Sequence, residues 1–300
     1  MLTIGDFSRA TLLTIKTLRH YHDTSLLEAA EVDPHTAYRG AYMIKTVQLS
    51  DASITLEDVG EGPAVLLLHG FPSTRSLWSQ VVPVLIDAGF RSLVPDLVGY
   101  GNTDAPRSVR VDMASQAQWL RELLDALHIE RLAVVAHDVG SAAAQILLVN
   151  HSQRIRGLAI LDGVYAGDWA MDAVASIQAW DVNEAHRLLP VLARRLGKSN
   201  SLREMFATYS GTEGGLRLIR AARDLDPRQT EHLGEAIQKI HVPALVLWGE
   251  QDTILPVDTV ARPLAELLRA TLKLVPGGHF SPLDCPNEVA MALIEFLRRL

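Results

Sequence analysis

This 300-residue chain has a single cysteine, fewer basic than acidic residues (28 against 35) and no long hydrophobic run. Cys285 is the only cysteine, so an intrachain disulfide framework is excluded. The net charge of -7 gives no general attraction to nucleic acid or to anionic membranes. No apolar run approaches the roughly 20 residues of a membrane-spanning helix, and the amino terminus has no signal-peptide pattern. The composition therefore predicts a cytoplasmic globular protein, long enough for one large domain.

The first 42 residues differ in pattern from the rest. Two short predicted helices flank a turn, and a short extended segment follows. The segment resembles the start of a MerR-type regulator, and the resemblance implies DNA contacts from Lys16, Arg19 and Arg39. However, it holds four basic residues against five acidic ones, whereas DNA-binding modules carry a basic excess. We expect a truncated helix-turn-helix remnant over 1–42, and a ligand-responsive DNA-binding regulator is the alternative from another functional class.

Residues 43–300 alternate predicted strands and helices, which favours an α/β fold with a mostly parallel, doubly wound sheet. Predicted strands cover 64–69, 91–95, 131–136, 155–161, 243–248 and 272–275, after a hairpin over 46–59. Predicted helices cover 76–87, 113–127, 257–268 and 288–300. Between about 163 and 240 the alternation stops and the pattern becomes helical. This stretch predicts a helical lid over the carboxyl ends of the strands, where ligands bind in open sheets.

The stretch 132–141 is the strongest local signal for chemistry. An apolar run ends abruptly at His137 and Asp138, and the small residues Gly140 and Ser141 lead into a helical pattern. Strand, sharp turn and helix are the context of a nucleophile elbow, and here a carboxylate stands at its tip. Asp138 is therefore the candidate nucleophile, with simple capping of the following helix as the alternative.

Three further motifs follow predicted strands: His69-Gly-Phe-Pro72, Trp248-Gly-Glu-Gln-Asp252 and Gly277-Gly-His279. Along the chain, Asp138, Asp252 and His279 follow the order nucleophile, acid and histidine of the α/β-hydrolase triad. Together the motifs resemble the Asp-nucleophile branch of the α/β-hydrolase superfamily, which holds epoxide hydrolases and haloalkane and haloacetate dehalogenases. The resemblance covers residues 43–300 and implies the α/β-hydrolase fold.

The resemblance also implies a role for each catalytic residue. Asp138 attacks an sp³ carbon and forms an alkyl ester, His279 activates the water that hydrolyses this ester, and Asp252 orients the imidazole. Asp162, at the end of the preceding predicted strand, is the rival for the orienting acid.

The backbone N–H groups of Phe71 and Val139 are expected to form the oxyanion hole. His69, His137 and the loop 96–104 are expected to be structural.

The substrate is less well indicated than the mechanism. Haloalkane dehalogenases carry a halide-binding Trp, and haloacetate dehalogenases an Arg, at the position of Val139. Epoxide hydrolases share His-Gly-Phe-Pro but also usually carry Trp at the position of Val139. They need lid tyrosines, for which Tyr209 and then Tyr165 are the candidates, although Tyr209 could equally be packing. Trp169 is a candidate pocket residue.

The sequence therefore favours an epoxide hydrolase, with a dehalogenase as the alternative. Its expected partners are a small apolar organic substrate and water, without a metal or another cofactor. The oligomeric state is not indicated.

Overall fold

A computed structural model describes residues 43–103, 105–196 and 205–300. The MerR-like segment 1–42, and with it Lys16, Arg19 and Arg39, lies outside the described residues.

The described strands form a single eight-stranded sheet in the order β1-β2-β4-β3-β5-β6-β7-β8. β1 pairs antiparallel with β2, and β2 with β4, whereas every other neighbouring pair is parallel. The predicted hairpin and the mostly parallel sheet are thereby confirmed. The strands are β1 Met43–Gln48, β2 Ser53–Val59, β3 Ala64–Leu68, β4 Arg91–Pro95, β5 Leu132–His137, β6 Ile155–Leu161, β7 Ala244–Gly249 and β8 Thr271–Val275.

The apolar strands of the sequence occupy the middle of this sheet. β5 is buried along its whole length, and β3 and β6 flank it on either side. Strands buried on both faces need continuous apolar runs, which explains why these segments lack the alternation of a half-exposed strand. The parallel register brings the ends of β3, β5, β6 and β7 to one edge, where the motif residues follow.

Helices connect the parallel strands and fill the insertion after β6. They are α1 Val82–Asp87, α2 Met113–Ala126, α3 Gly140–His151, α4 Met171–Ala179, α5 Val182–Leu196, α6 Gly211–Asp224, α7 Arg228–Glu231, α8 Gly234–Gln238, α9 Arg262–Leu268, α10 Ser281–Asp284 and α11 Pro286–Leu297. Helices α4 to α8 lie between β6 and β7, so the helical insertion predicted over 163–240 is confirmed. Within the described residues, no helix is both long enough and apolar enough to cross a membrane.

One predicted helix, 76–87, is two elements in the structure. A 3₁₀ turn spans Arg75–Trp78, and α1 begins only at Val82. Pro83 lies in the first turn of α1. Because proline has no backbone N–H, it cannot donate to the carbonyl four residues earlier, so a continuous helix would lose that bond.

Candidate active site

The elbow places Asp138 at the carboxyl end of β5 in a strained backbone conformation. Its φ is +50°, in the left-handed region that side chains with a Cβ rarely adopt. Two glycines make room for it. A Cβ on Gly140 would lie 2.2 Å from the carbonyl oxygen of His69, and a Cβ on Gly70 would lie 2.3 Å from Asp138 Oδ1. The elbow therefore depends on the close approach of α3 and the 70–73 turn.

The two oxygens of the Asp138 carboxylate have different surroundings. The backbone N–H of Phe71 donates to Oδ1 at 2.7 Å, whereas Oδ2 lies 3.4 Å from His279 Nε2. The backbone N–H of Val139 also donates to this carboxylate. Burial acts to raise the pKa of Asp138, but the hydrogen bond and charge of His279 outweigh it and lower the pKa. The carboxylate is therefore ionised at neutral pH.

His279 lies between two carboxylates. Its Nδ1 is 2.9 Å from Asp252 Oδ2, on the side opposite Asp138. Asp252 is held in turn by the backbone N–H groups of Ile254 and Leu255, which donate to Oδ1 at 2.8 and 2.9 Å. Burial alone would lower the pKa of His279, but the hydrogen bonds and charges of Asp138 and Asp252 raise it to about 10. The two carboxylates therefore favour the imidazolium form of His279 in the free protein.

Asp162, the rival acid, makes other contacts. Its Oδ1 accepts from the backbone N–H of Gly249 at 2.7 Å, and its Oδ2 accepts from the Ser281 hydroxyl. Asp162 is fully buried, and burial raises its pKa to about 8. Asp252 therefore contacts the His279 imidazole, whereas Asp162 contacts Ser281, which follows His279 in the chain. Ser281 was not expected from the sequence, because no motif marks it.

Two further histidines near the site, His69 and His137, hold loops by hydrogen bonds. His69 Nε2 accepts from the backbone N–H of Leu97 at 3.0 Å, so Nδ1 carries the hydrogen and donates to the Gly70 carbonyl at 2.9 Å. His137 Nε2 contacts the His279 carbonyl at 2.7 Å, and burial lowers the pKa of His137 to about 4. A neutral His137 therefore donates from Nε2 and supports the backbone of His279.

A cavity of about 60 Å³ lies in front of Asp138. This is room for a few atoms or ordered waters, since a water needs about 10–15 Å³ on the same scale. Apart from Asp138 and His279, the lining side chains among the described residues are apolar or aromatic: Phe71, Pro72, Val139, Trp169, Ala170, Val174, Ile177, Ile254 and Phe280. Such walls suit a small apolar compound.

The three predicted substrate-binding residues differ in where they lie. Trp169 lines the cavity, but its indole N–H is shared by the Ala166 carbonyl and the Thr230 hydroxyl, at 3.0 and 2.9 Å. Tyr165 and Tyr209 are not among the lining residues. Tyr209 is buried, and its hydroxyl donates to the Ser73 carbonyl at 3.1 Å. Among the described residues, no group of three or more ligating side chains could hold a metal ion.

Comparison with known proteins agrees with this architecture. Residues 63–286 match the family model described as the alpha/beta hydrolase fold. The chain is 26% identical to a fluoroacetate dehalogenase of Burkholderia sp, over 84% of this chain and 93% of the relative. It is 33% identical to a haloalkane dehalogenase of Mesorhizobium japonicum, over 84% and 90%. Epoxide hydrolase 3 of Siraitia grosvenorii is 37% identical, but over only 38% of this chain and 36% of the relative.

Proposed function

Because this chain belongs to the alpha/beta hydrolase fold family, we propose that it is a hydrolase that works through a covalent ester on Asp138. The observation that carries the proposal is the asymmetry of the Asp138 carboxylate. Oδ1 is held by a backbone donor, and Oδ2 faces His279 in an apolar cavity. A carboxylate removed from water and held by one oxygen is suited to attack carbon with the other.

In the first step, Asp138 Oδ2 attacks an sp³ carbon of the substrate. A carbon–oxygen bond forms, the bond to the leaving group breaks, and the leaving group takes the electron pair. The carboxylate becomes a neutral ester. The charge of Asp138 is one of the causes that raise the pKa of His279, so forming the ester lowers that pKa. The imidazolium then passes its proton to the leaving oxygen of an epoxide or, when a halide leaves, to solvent.

In the second step, neutral His279 takes a proton from water, and the resulting hydroxide adds to the carbonyl carbon of the ester. Negative charge then develops on Oδ1, which the N–H of Phe71 already faces, with the N–H of Val139 as the second donor. Collapse of this intermediate breaks the ester bond. The departing alkoxide takes the proton of the added hydroxyl, so an alcohol leaves and the Asp138 carboxylate is restored. Asp252 fixes the ring of His279 and stabilises its cation throughout.

An epoxide is the first candidate substrate. Its leaving oxygen stays tethered to the neighbouring carbon, so it can swing towards His279 and take the proton that ester formation releases. Either leaving group departs opposite Asp138 Oδ2, where the other described lining side chains are apolar, but a halide takes no proton and stays an anion there. An apolar wall stabilises an anion poorly.

Carbon–halogen cleavage is the second candidate. The dehalogenase relatives, which span most of this chain, favour it. Both substrates would use the same ester on Asp138.

The test is the His279→Gln variant, incubated with a panel of small epoxides and haloalkanes and followed by intact mass. We expect an ester that forms on Asp138 and persists, because no base activates water. An epoxide would add its full mass, whereas a haloalkane would add its mass less that of the hydrogen halide.

The double variant with Asp138→Asn is the control and should gain no mass. Absence of any adduct, together with unchanged turnover by the single variant, would refute the mechanism.

A further inference from the structure

Tyr209 joins the helical insertion to the two loops that surround Asp138. It lies just before α6, and its hydroxyl donates to the carbonyl of Ser73 at 3.1 Å. The backbone N–H of Gly101 donates to the same hydroxyl. Burial raises the pKa of Tyr209 above its ordinary value, so the hydroxyl keeps its hydrogen. This one group therefore bridges the loop after β3 and the loop after β4.

The Ser73 carbonyl belongs to the same tight turn as the N–H of Phe71. The Ser73 N–H donates to the Gly70 carbonyl at 3.0 Å, and the Ser73 hydroxyl donates to that carbonyl at 3.0 Å. Phe71 lies inside this closed turn and donates to Asp138 Oδ1 at 2.7 Å. Because the turn is closed by its own hydrogen bonds, moving the Ser73 carbonyl also moves the Phe71 N–H.

We propose that Tyr209 is a positioning residue: by holding the Ser73 carbonyl, it sets the Phe71 N–H against Asp138 Oδ1. The proposal rests on the aspartyl-ester mechanism proposed above. It gives the Tyr209 hydroxyl a role different from donation to a substrate oxygen, since its hydrogen is already bound to Ser73.

The two chemical steps depend on the Phe71 N–H in opposite ways. Ester formation removes negative charge from the Asp138 carboxylate, so a weaker donor leaves this step unchanged or slightly faster. Ester hydrolysis returns negative charge to Oδ1, so a weaker donor slows it. Removing an oxyanion-hole donor outright lowers kcat by about 10²–10³-fold. Displacing the Phe71 N–H should slow the reaction less than removing it. For loss of the Tyr209 hydroxyl we therefore expect roughly tenfold slower hydrolysis of the ester.

The experiment compares Tyr209→Phe with the wild-type chain in single-turnover quench-flow, read by intact mass. The substrate is the panel compound that alkylates His279→Gln fastest. We expect an unchanged rate of ester formation, slower hydrolysis of the ester, and a larger ester fraction at steady state. Ester decay is a first-order process of molecules that have already reacted, so a misfolded fraction does not enter its rate constant.

Thr208→Val is the matched control. Thr208 is the neighbouring residue, and its hydroxyl donates to the Met205 carbonyl within the insertion at 2.8 Å. Neither rate constant should change in this variant. Wild-type ester decay in Tyr209→Phe would overturn the inference, and so would equal slowing of both steps. Slower ester formation with unchanged decay would assign the hydroxyl to the substrate instead. If no ester forms even in His279→Gln, the proposed function fails and the inference falls with it.

Discussion

Two buried carboxylates, Asp162 and Asp252, follow the neighbouring strands β6 and β7 and have different surroundings. Asp252 accepts from two backbone N–H groups and contacts His279. Asp162 is hydrogen-bonded to the Gly249 N–H and the Ser281 hydroxyl, and burial raises its pKa to about 8, which favours the protonated acid at neutral pH. A neutral acid in this place needs no counter-charge, and an amide has nearly the same shape.

Asparagine substitutions should therefore separate the two acids. Asp252→Asn should lower kcat by about 10²–10⁴-fold, because an amide neither holds the imidazole tautomer nor stabilises its cation. Asp162→Asn should leave kcat little changed, since its amide can still accept from Gly249 and donate to Ser281. Steady-state kinetics on the compound found with His279→Gln would measure both. A large loss in Asp162→Asn with normal activity in Asp252→Asn would reverse the assignment of the orienting acid.

At the scale of elements, the elbow depends on a helix that begins with glycine. A Cβ on Gly140 would lie 2.2 Å from the His69 carbonyl oxygen, which is backbone and cannot rotate away. Gly140→Ala should push α3 away from the end of β3, and overpacking of this kind costs about 1–3 kcal/mol. It should also displace Asp138 from the Phe71 N–H, so activity should fall. Urea unfolding and the rate of ester formation would measure the two effects.

Gly234→Ala is the matched control for that variant. Gly234 is also the first residue of a helix, α8, but a Cβ there would meet only the side chain of Leu267 at 3.8 Å. Because alanine favours the helix over glycine, this variant should be as stable as the wild type or more so, with unchanged ester formation. Equal losses in both variants would mean that the His69 contact is not the cause.

Most elements follow from local patterns that the sequence displays. The runs at 64–68 and 132–137 predict buried strands, since a continuous apolar run of that length needs cover on both faces. The small residues after Asp138 likewise predict the elbow. The division of 76–87 into two elements was missed, although Pro83 was the signal for it.

Long-range contacts could not be predicted in the same way. Whether Asp162 or Asp252 reaches His279 depends on how the loops after β6 and β7 fold back. The contact between Tyr209 and Ser73 joins residues 136 positions apart and has no local signature. The MerR-like segment 1–42 stays a prediction outside the described residues.

At the scale of the whole molecule, the boundary of a hydrolase domain at 43–300 and the action of 163–240 as a lid stay predictions. The position of the insertion supports a lid, because Trp169, Ala170, Val174 and Ile177 from this stretch line the cavity.

The stability of the whole domain should depend on pH through Asp162. Its folded pKa of about 8 lies above the ordinary value of 3.8, so between these limits the folded state holds a proton that the unfolded state has lost. The unfolding free energy should therefore fall as pH rises through this window, by up to about 1.4 kcal/mol per pH unit from this group.

Asp162→Asn removes this contribution. The unfolding free energy of the variant should therefore fall less steeply with pH, and the difference in slope should correspond to at most one bound proton. Urea unfolding of both proteins at several pH values between 5 and 8 would measure it. Parallel slopes would contradict the proton on Asp162.

In the ester mechanism proposed above, the unequal oxygens of Asp138 also mean that each molecule keeps an isotopic record of its previous turnover. Only Oδ2 joins the substrate, so the alcohol departs with that atom and an oxygen from water takes its place. In water enriched in oxygen-18, the first product should carry ordinary oxygen, and later products should carry the heavy oxygen acquired one cycle earlier. As long as the hydrogen bond from the Phe71 N–H prevents the carboxylate from rotating and exchanging its two oxygens, Oδ1 keeps its original isotope through every cycle.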